Sequence, residues 1–193
     1  TRGIKNLLFS LGSIQNLGDS TAEQKKLWSH SYKVGFFSYN IAKNYFSTDR
    51  QIIDDSYVCG LLHDMGKIIF DVAHPKIIEN LKQTLQEKSL NQNLFEKIVA
   101  GQNHAEIGAL IAKKWNFPSV VVETIKFHHT PELSNPNIKK LVSVIYFADM
   151  LANYQSKEVE YYQFDEDILA LFNIESEEQL KKISEKLETS FLK

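Results

Sequence analysis

A single cysteine, Cys59, stands in 193 residues, so no disulfide can close within the chain and a reducing compartment is expected. Cys59 reads as a small buried packing residue rather than a nucleophile. Long apolar runs are missing as well. None nears the roughly 18 residues of a membrane span, and the first residues carry no signal-peptide pattern. The expected location is cytoplasmic, with no membrane partner. Charge of one sign is also lacking: 22 Lys+Arg against 24 Asp+Glu leave a net −2. That balance excludes a broad nucleic-acid footprint while leaving room for a local phosphate pocket. There is no repeat, no low-complexity tract and no convincing strand.

What is present is helix. A hydrophobic share of 43% and a charged share of 24% suit one sizeable globular core with a small appendage. Ile4, Leu7, Leu8, Leu11, Ile14 and Leu17 recur at helical spacing. Ser20 to Glu23 forms a capping box that predicts a long helix to about Phe46, with Leu27, Val34, Ile41 and Tyr45 inside. The aromatics Trp28, Tyr32, Phe36, Phe37 and Tyr39 on that helix read as packing rather than base stacking. Another helix is expected from about Gln51, broken by Gly66 after His63–Asp64. Pro75 is placed to open a further helix, and one more is expected over about 94–100. His104 should begin a helix with Ile107, Leu110 and Ile111 facing inward. The next, through Val122 and Ile125, finishes at His128–His129. A loop spans Thr130 to Asn137, and the helix after it carries Leu141, Ile145, Ala148 and Asp149. A capping box at Ser176–Gln179 starts the last helix of an acidic tail. The fold class is all-α, a multi-helix bundle.

Five of the six histidines fall into one series with two aspartates: His30, His63, Asp64, His104, His128, His129 and Asp149. His74, beside Pro75, is left out as an ordinary histidine. Imidazole and carboxylate are the usual donors for Zn, Fe, Mn or Ni ions that also hold a reactive water. The pairs and His104 sit at helix ends or turns, while His30 and Asp149 lie in apolar helical segments. Burying such groups costs several kcal/mol unless a partner compensates. A shared metal cluster would compensate all of them; the alternative is a core of hydrogen-bonded histidines without metal.

Six segments in order carry a family resemblance: Leu27 to Ser31, Gly60 to Lys67, Asn103 to Ala109, Trp115 to Pro118, His128 to Pro131, and Phe147 to Asp149. Together they resemble the HD superfamily of metal-dependent phosphohydrolases, and more closely its HDOD branch of bacterial signalling proteins. The resemblance runs from about 27 to 153. It implies an HD-domain-like bundle with His30, His63, Asp64 and Asp149 around one divalent ion. Asp64 would bridge to a second ion completed by His104 and by His128, His129 or both. The ions would be Fe, Mn, Ni, Zn or Mg. Lys67 matches a lysine that lies near substrate phosphate, so Asp64 and Lys67 are the implied catalytic residues. The chain departs from the cyclic-di-GMP phosphodiesterase branch, since no Gly-Tyr-Pro follows His128–His129. Residues 1–19 resemble the end of a preceding helical subdomain, most of it upstream of Thr1. Residues 20–155 would be the metal-binding domain and 156–193 an acidic helical extension packed on it.

Two functions follow as expectations. One is hydrolysis of a phosphoester or phosphoanhydride of the nucleotide or cyclic-nucleotide class. The other is a non-catalytic, metal-containing output module that acts through a signalling protein partner.

Overall fold

The computed structural model describes residues 22–68, 96–97 and 101–192. The expected helix over 4–17, the capping box at 20–23, His74, the helix opened by Pro75 and most of the one around 94–100 lie outside the described residues. Seven α-helices occur among the described residues: α1 Ala22–Tyr45, α2 Arg50–Leu62, α3 His104–Lys114, α4 Ser119–Phe127, α5 Lys139–Gln155, α6 Glu166–Leu171 and α7 Glu177–Phe191. No strand occurs among them, and the all-α class holds. No helix among them is long and apolar enough to cross a membrane.

The chain divides into two compact units. The first comprises Thr1–Leu27 with His63–Lys126, the second Trp28–Leu62 with Phe127–Lys193. In the second, α5 is the central element: Leu141, Val144, Ile145, Ala148, Leu151 and Ala152 are all buried, as a helix covered on most sides requires. It packs against α2 and α7. Where α1 crosses α2, Gly60 lies so close that a Cβ there would stand 2.7 Å from Ser38 Oγ and 2.9 Å from Gly35 Cα. Cys59, beside it, is fully buried, as its packing role required. Phe172 stacks on Phe147 with ring centroids 4.4 Å apart and meets Tyr45 edge-on. The last helix is fastened by Lys33, which donates to Gln155 Oε1 at 3.1 Å and pairs with Glu188 at 2.9 Å. Phe191 packs among Tyr32, Phe36 and Phe37, so those three serve packing, while Tyr39 is exposed.

Helix ends follow local chemistry. Asn103 caps α3 by accepting from the Glu106 N–H, while the Glu106 carboxylate accepts from the Asn103 N–H, a reciprocal capping box. At α7, Ser176 accepts from the Gln179 N–H, but the Gln179 side chain reaches past it to the Glu175 N–H. The expected box therefore forms only its forward half at Ser176. Asn116, Lys157 and Asn173 adopt left-handed φ of 56°, 59° and 54°. Each closes its helix with the paired hydrogen bonds of a Schellman turn, such as Phe117 N–H to the Ala112 carbonyl.

Two expectations need correction. Gly66 does not break the helix: the break falls at His63–Asp64, and a new helical turn runs over 65–68. Nor does Leu110 face inward, being 54% exposed. The buried stripe of α3 is Ala105, Gly108, Ala109 and Ala112, and at Gly108 the helix lies too close to its neighbour for a larger side chain. The neighbour is the turn holding Gly66, whose imaginary Cβ would meet the His104 carbonyl oxygen at 1.8 Å.

Candidate functional site

The chain leaves α2 at Leu62 and turns at His63–Asp64, which places two chemically active side chains at a helix end. In the first unit both are fully buried, as is His104. Asp64 is the hub. Its Oδ1 lies 3.2 Å from His104 Nε2 and its Oδ2 3.4 Å from His63 Nε2. Lys67, one turn on, donates from Nζ to Oδ2 at 2.6 Å and gives its backbone N–H to the Asp64 carbonyl. This i, i+3 ion pair sets a positive charge beside the central carboxylate.

His104 is gripped from several sides. Its backbone N–H donates to Glu96 Oε2 at 2.7 Å, and its Nδ1 meets the same oxygen at 2.8 Å. Burial pushes the His104 imidazolium down, as does the positive charge of Lys67. Hydrogen bonds with Asp64 and Glu96, and the Asp64 charge, outweigh both and raise it above the usual histidine range. A carboxylate on each side of the ring makes this a place that favours positive charge.

In the second unit, His30 on α1 holds Asp149 on α5 through Nε2 and Oδ1 at 2.9 Å. Asn153, one turn beyond Asp149, donates to the same oxygen at 2.9 Å. His128 is buried, and its ring centroid lies 3.9 Å from that of His129. All seven expected donors are thus seen: His63, Asp64 and His104 come together in one unit, while His30 with Asp149 and His128 with His129 pair in the other. Sequence reasoning missed Glu96 and Asn153. Glu96 lies eight residues before His104, a spacing that no motif flags. Asn153 is four residues after Asp149, a helical neighbour that could have been named.

The donor set fits divalent metal. Two donors held at about 2.1 Å by one ion, at angles of about 90–110°, stand roughly 3.0–3.4 Å apart. The Asp64–His104 and Asp64–His63 separations match that spacing. Each histidine faces a different oxygen of Asp64, and Oδ2 also takes the Lys67 ammonium. His and carboxylate donors without thiolate suit Fe, Mn, Zn or Ni.

Three comparisons bear on this arrangement. The family model of the HDOD domain matches residues 1–131. Over 190 residues the chain is 36% identical to an uncharacterised protein of Treponema pallidum (strain Nichols), an alignment covering 98% of this chain and 37% of that protein. An HDOD domain protein of unknown function from Geobacter sulfurreducens superposes with a TM-score of 0.69 at 22% identity, covering 88% of this chain and 60% of that one. A protein of Shewanella amazonensis SB2B, provisionally named a phosphohydrolase, superposes with a TM-score of 0.65 at 24% identity, covering 90% of this chain and 61% of that one. These structural likenesses speak for the fold. The chain spans little more than a third of its Treponema relative and about three fifths of both solved chains.

Proposed function

The chain belongs to the HDOD domain family, and from that premise we propose that it is a two-metal domain of a bacterial signalling protein that hydrolyses a phosphoester or phosphoanhydride. The observation that carries this reading is the hub at Asp64, which faces His63 with one oxygen and His104 with the other. That His30, His128, His129 and Asp149 complete the coordination of the same ions is part of the proposal, supported by their order along the chain. Ions held there would polarise a phosphoryl group and activate water for attack.

The residues themselves supply the rest. Asp64 carries the negative charge that attracts cations. Lys67, a quarter exposed, offers its ammonium to substrate phosphate as charge develops. Nucleotides and cyclic nucleotides are the proposed substrate class, and the cytoplasm the proposed location.

Elemental analysis of the purified protein beside Asp64→Ala, with circular dichroism on both, tests the metal. Close to two equivalents in the wild type, lost in a folded variant, is the expected result. Phosphate release from nucleotides, cyclic dinucleotides and aryl phosphodiesters tests the chemistry. Turnover that survives Asp64→Ala, or no turnover with any metal, would overturn it.

A second reading has one observation in its favour. Lys67 itself neutralises Asp64 at 2.6 Å, so the buried carboxylate has a counter-charge that needs no catalysis. On this reading the domain is an output module that acts through a protein partner. Partner binding unchanged in Asp64→Ala would support it.

A further inference from the structure

We infer that Glu96 is a positioning residue: it orients His104 and makes that imidazole a stronger donor toward the cation bound at Asp64. The inference rests on the metal reading above and extends it to a residue that the donor series does not contain.

Glu96 is a fully buried carboxylate, a placement that costs several kcal/mol unless its hydrogen bonds compensate. Its Oε2 accepts twice from one residue, from the His104 backbone N–H at 2.7 Å and from the ring at 2.8 Å. The first bond fixes the main chain at the first residue of α3; the second fixes the ring about its side-chain torsions. With Nδ1 carrying the proton donated to Glu96, Nε2 is the ring's metal-facing atom, and it lies 3.2 Å from Asp64 Oδ1. Carboxylates that accept from the far nitrogen of a metal-bound histidine set its tautomer and raise its basicity.

A plain helix-capping role does not account for this carboxylate. The cap of α3 is already supplied by Asn103 and Glu106, each side chain accepting from the other's backbone N–H. Glu96 takes the first helical N–H as a cap would, but the same oxygen also takes the ring nitrogen, for which a cap has no use. On the opposite side Gly66 closes against the His104 carbonyl. The residue is therefore fixed at its amide, its ring and its carbonyl.

The test compares wild type, Glu96→Gln and Glu96→Leu by Co2+ titration of the whole chain and by NMR of the histidine ring protons. The amide of Glu96→Gln can still accept from Nδ1–H but carries no charge, and its shape keeps the fold safe. Glu96→Leu removes the acceptor. Expected are a 10- to 100-fold loss of Co2+ affinity in Glu96→Leu, on the order seen for such partners, and a smaller loss in Glu96→Gln. The protected Nδ1–H resonance of His104 should persist in Glu96→Gln and vanish in Glu96→Leu. Affinity within twofold of wild type, with the resonance retained in folded Glu96→Leu, would overturn the assignment. Should Glu96→Leu not fold, undiminished affinity in Glu96→Gln would do the same. A wild type that takes up no metal would overturn the metal reading alone, and the Nδ1–H comparison would still decide the orienting role of Glu96.

Discussion

Gly66 and His104 touch backbone to backbone: a methyl group on Gly66 would stand 1.8 Å from the His104 carbonyl oxygen. No rotamer change relieves a contact between two main chains. The turn carrying Asp64 and Lys67 is held against the start of α3 by the absence of one side chain. Gly66→Ala is accordingly expected to cost about 3 kcal/mol or more, the upper end of overpacking penalties, and to weaken metal binding. Gly108→Ala, whose Cβ would meet the Ile125 Cγ2 methyl at 2.9 Å and the Gly66 backbone nitrogen at 3.1 Å rather than a carbonyl at 1.8 Å, should cost less. Urea denaturation of both variants checks this, and equal stability of Gly66→Ala and wild type would refute it.

Metal should also register as stability. A ligand that binds only the folded chain adds about 2.7 kcal/mol at a hundredfold excess over Kd. Adding Mn2+, Fe2+, Ni2+ or Zn2+ to stripped protein should raise the melting temperature of the wild type and leave that of Asp64→Ala unchanged. No shift with any of these ions would count against the donor set.

Asp55 on α2 carries a pH dependence of its own. Burial, and then the charge of Asp54, raise its carboxyl above the ordinary range, against a hydrogen bond with Gln51 that lowers it. A raised acid costs stability once ionised, so the cost is present above the folded pKa and disappears as pH falls below the unfolded one. Asp55→Asn should therefore melt higher than wild type at pH 7, with the gain shrinking toward about pH 4. A gain that is flat or grows on acidification would contradict this account.

Lys157 holds a left-handed φ of 59° where glycine is the favoured residue. The conformation costs a side-chain-bearing residue about 1–2 kcal/mol, partly offset by the greater entropy that glycine loses on folding. Lys157→Gly should then stabilise the protein by about 0.5–1 kcal/mol. Thermal denaturation reads this directly, and a destabilised variant would show that the lysine side chain matters more than the backbone.

Much of the fold was legible because helices declare themselves by spacing. The starts of α2, α3 and α7, and the end of α4 at His128–His129, fall within a residue or two of where periodicity and capping place them. The inner face of α3 was misread for a physical reason. Hydrophobic weight ranks Leu110 above Ala109, but close approach of two backbones selects the smallest residues, and only the partner's position reveals that. Gly66 was misjudged on the same grounds: a glycine after a helix suggests a stop, and here it serves contact. All seven proposed donors were visible as residue types in order. Glu96 was not, because its meaning arises from a fold-dependent approach to His104 that no short-range pattern encodes.

Cys59 lies on α2 with no exposed surface and is the chain's lone thiol. A thiol reagent can reach it only when the second unit opens. Its modification rate in native buffer therefore counts excursions from the packed state one molecule at a time, with no engineered label and no competing sulfhydryl. The unmutated chain carries its own clock for opening.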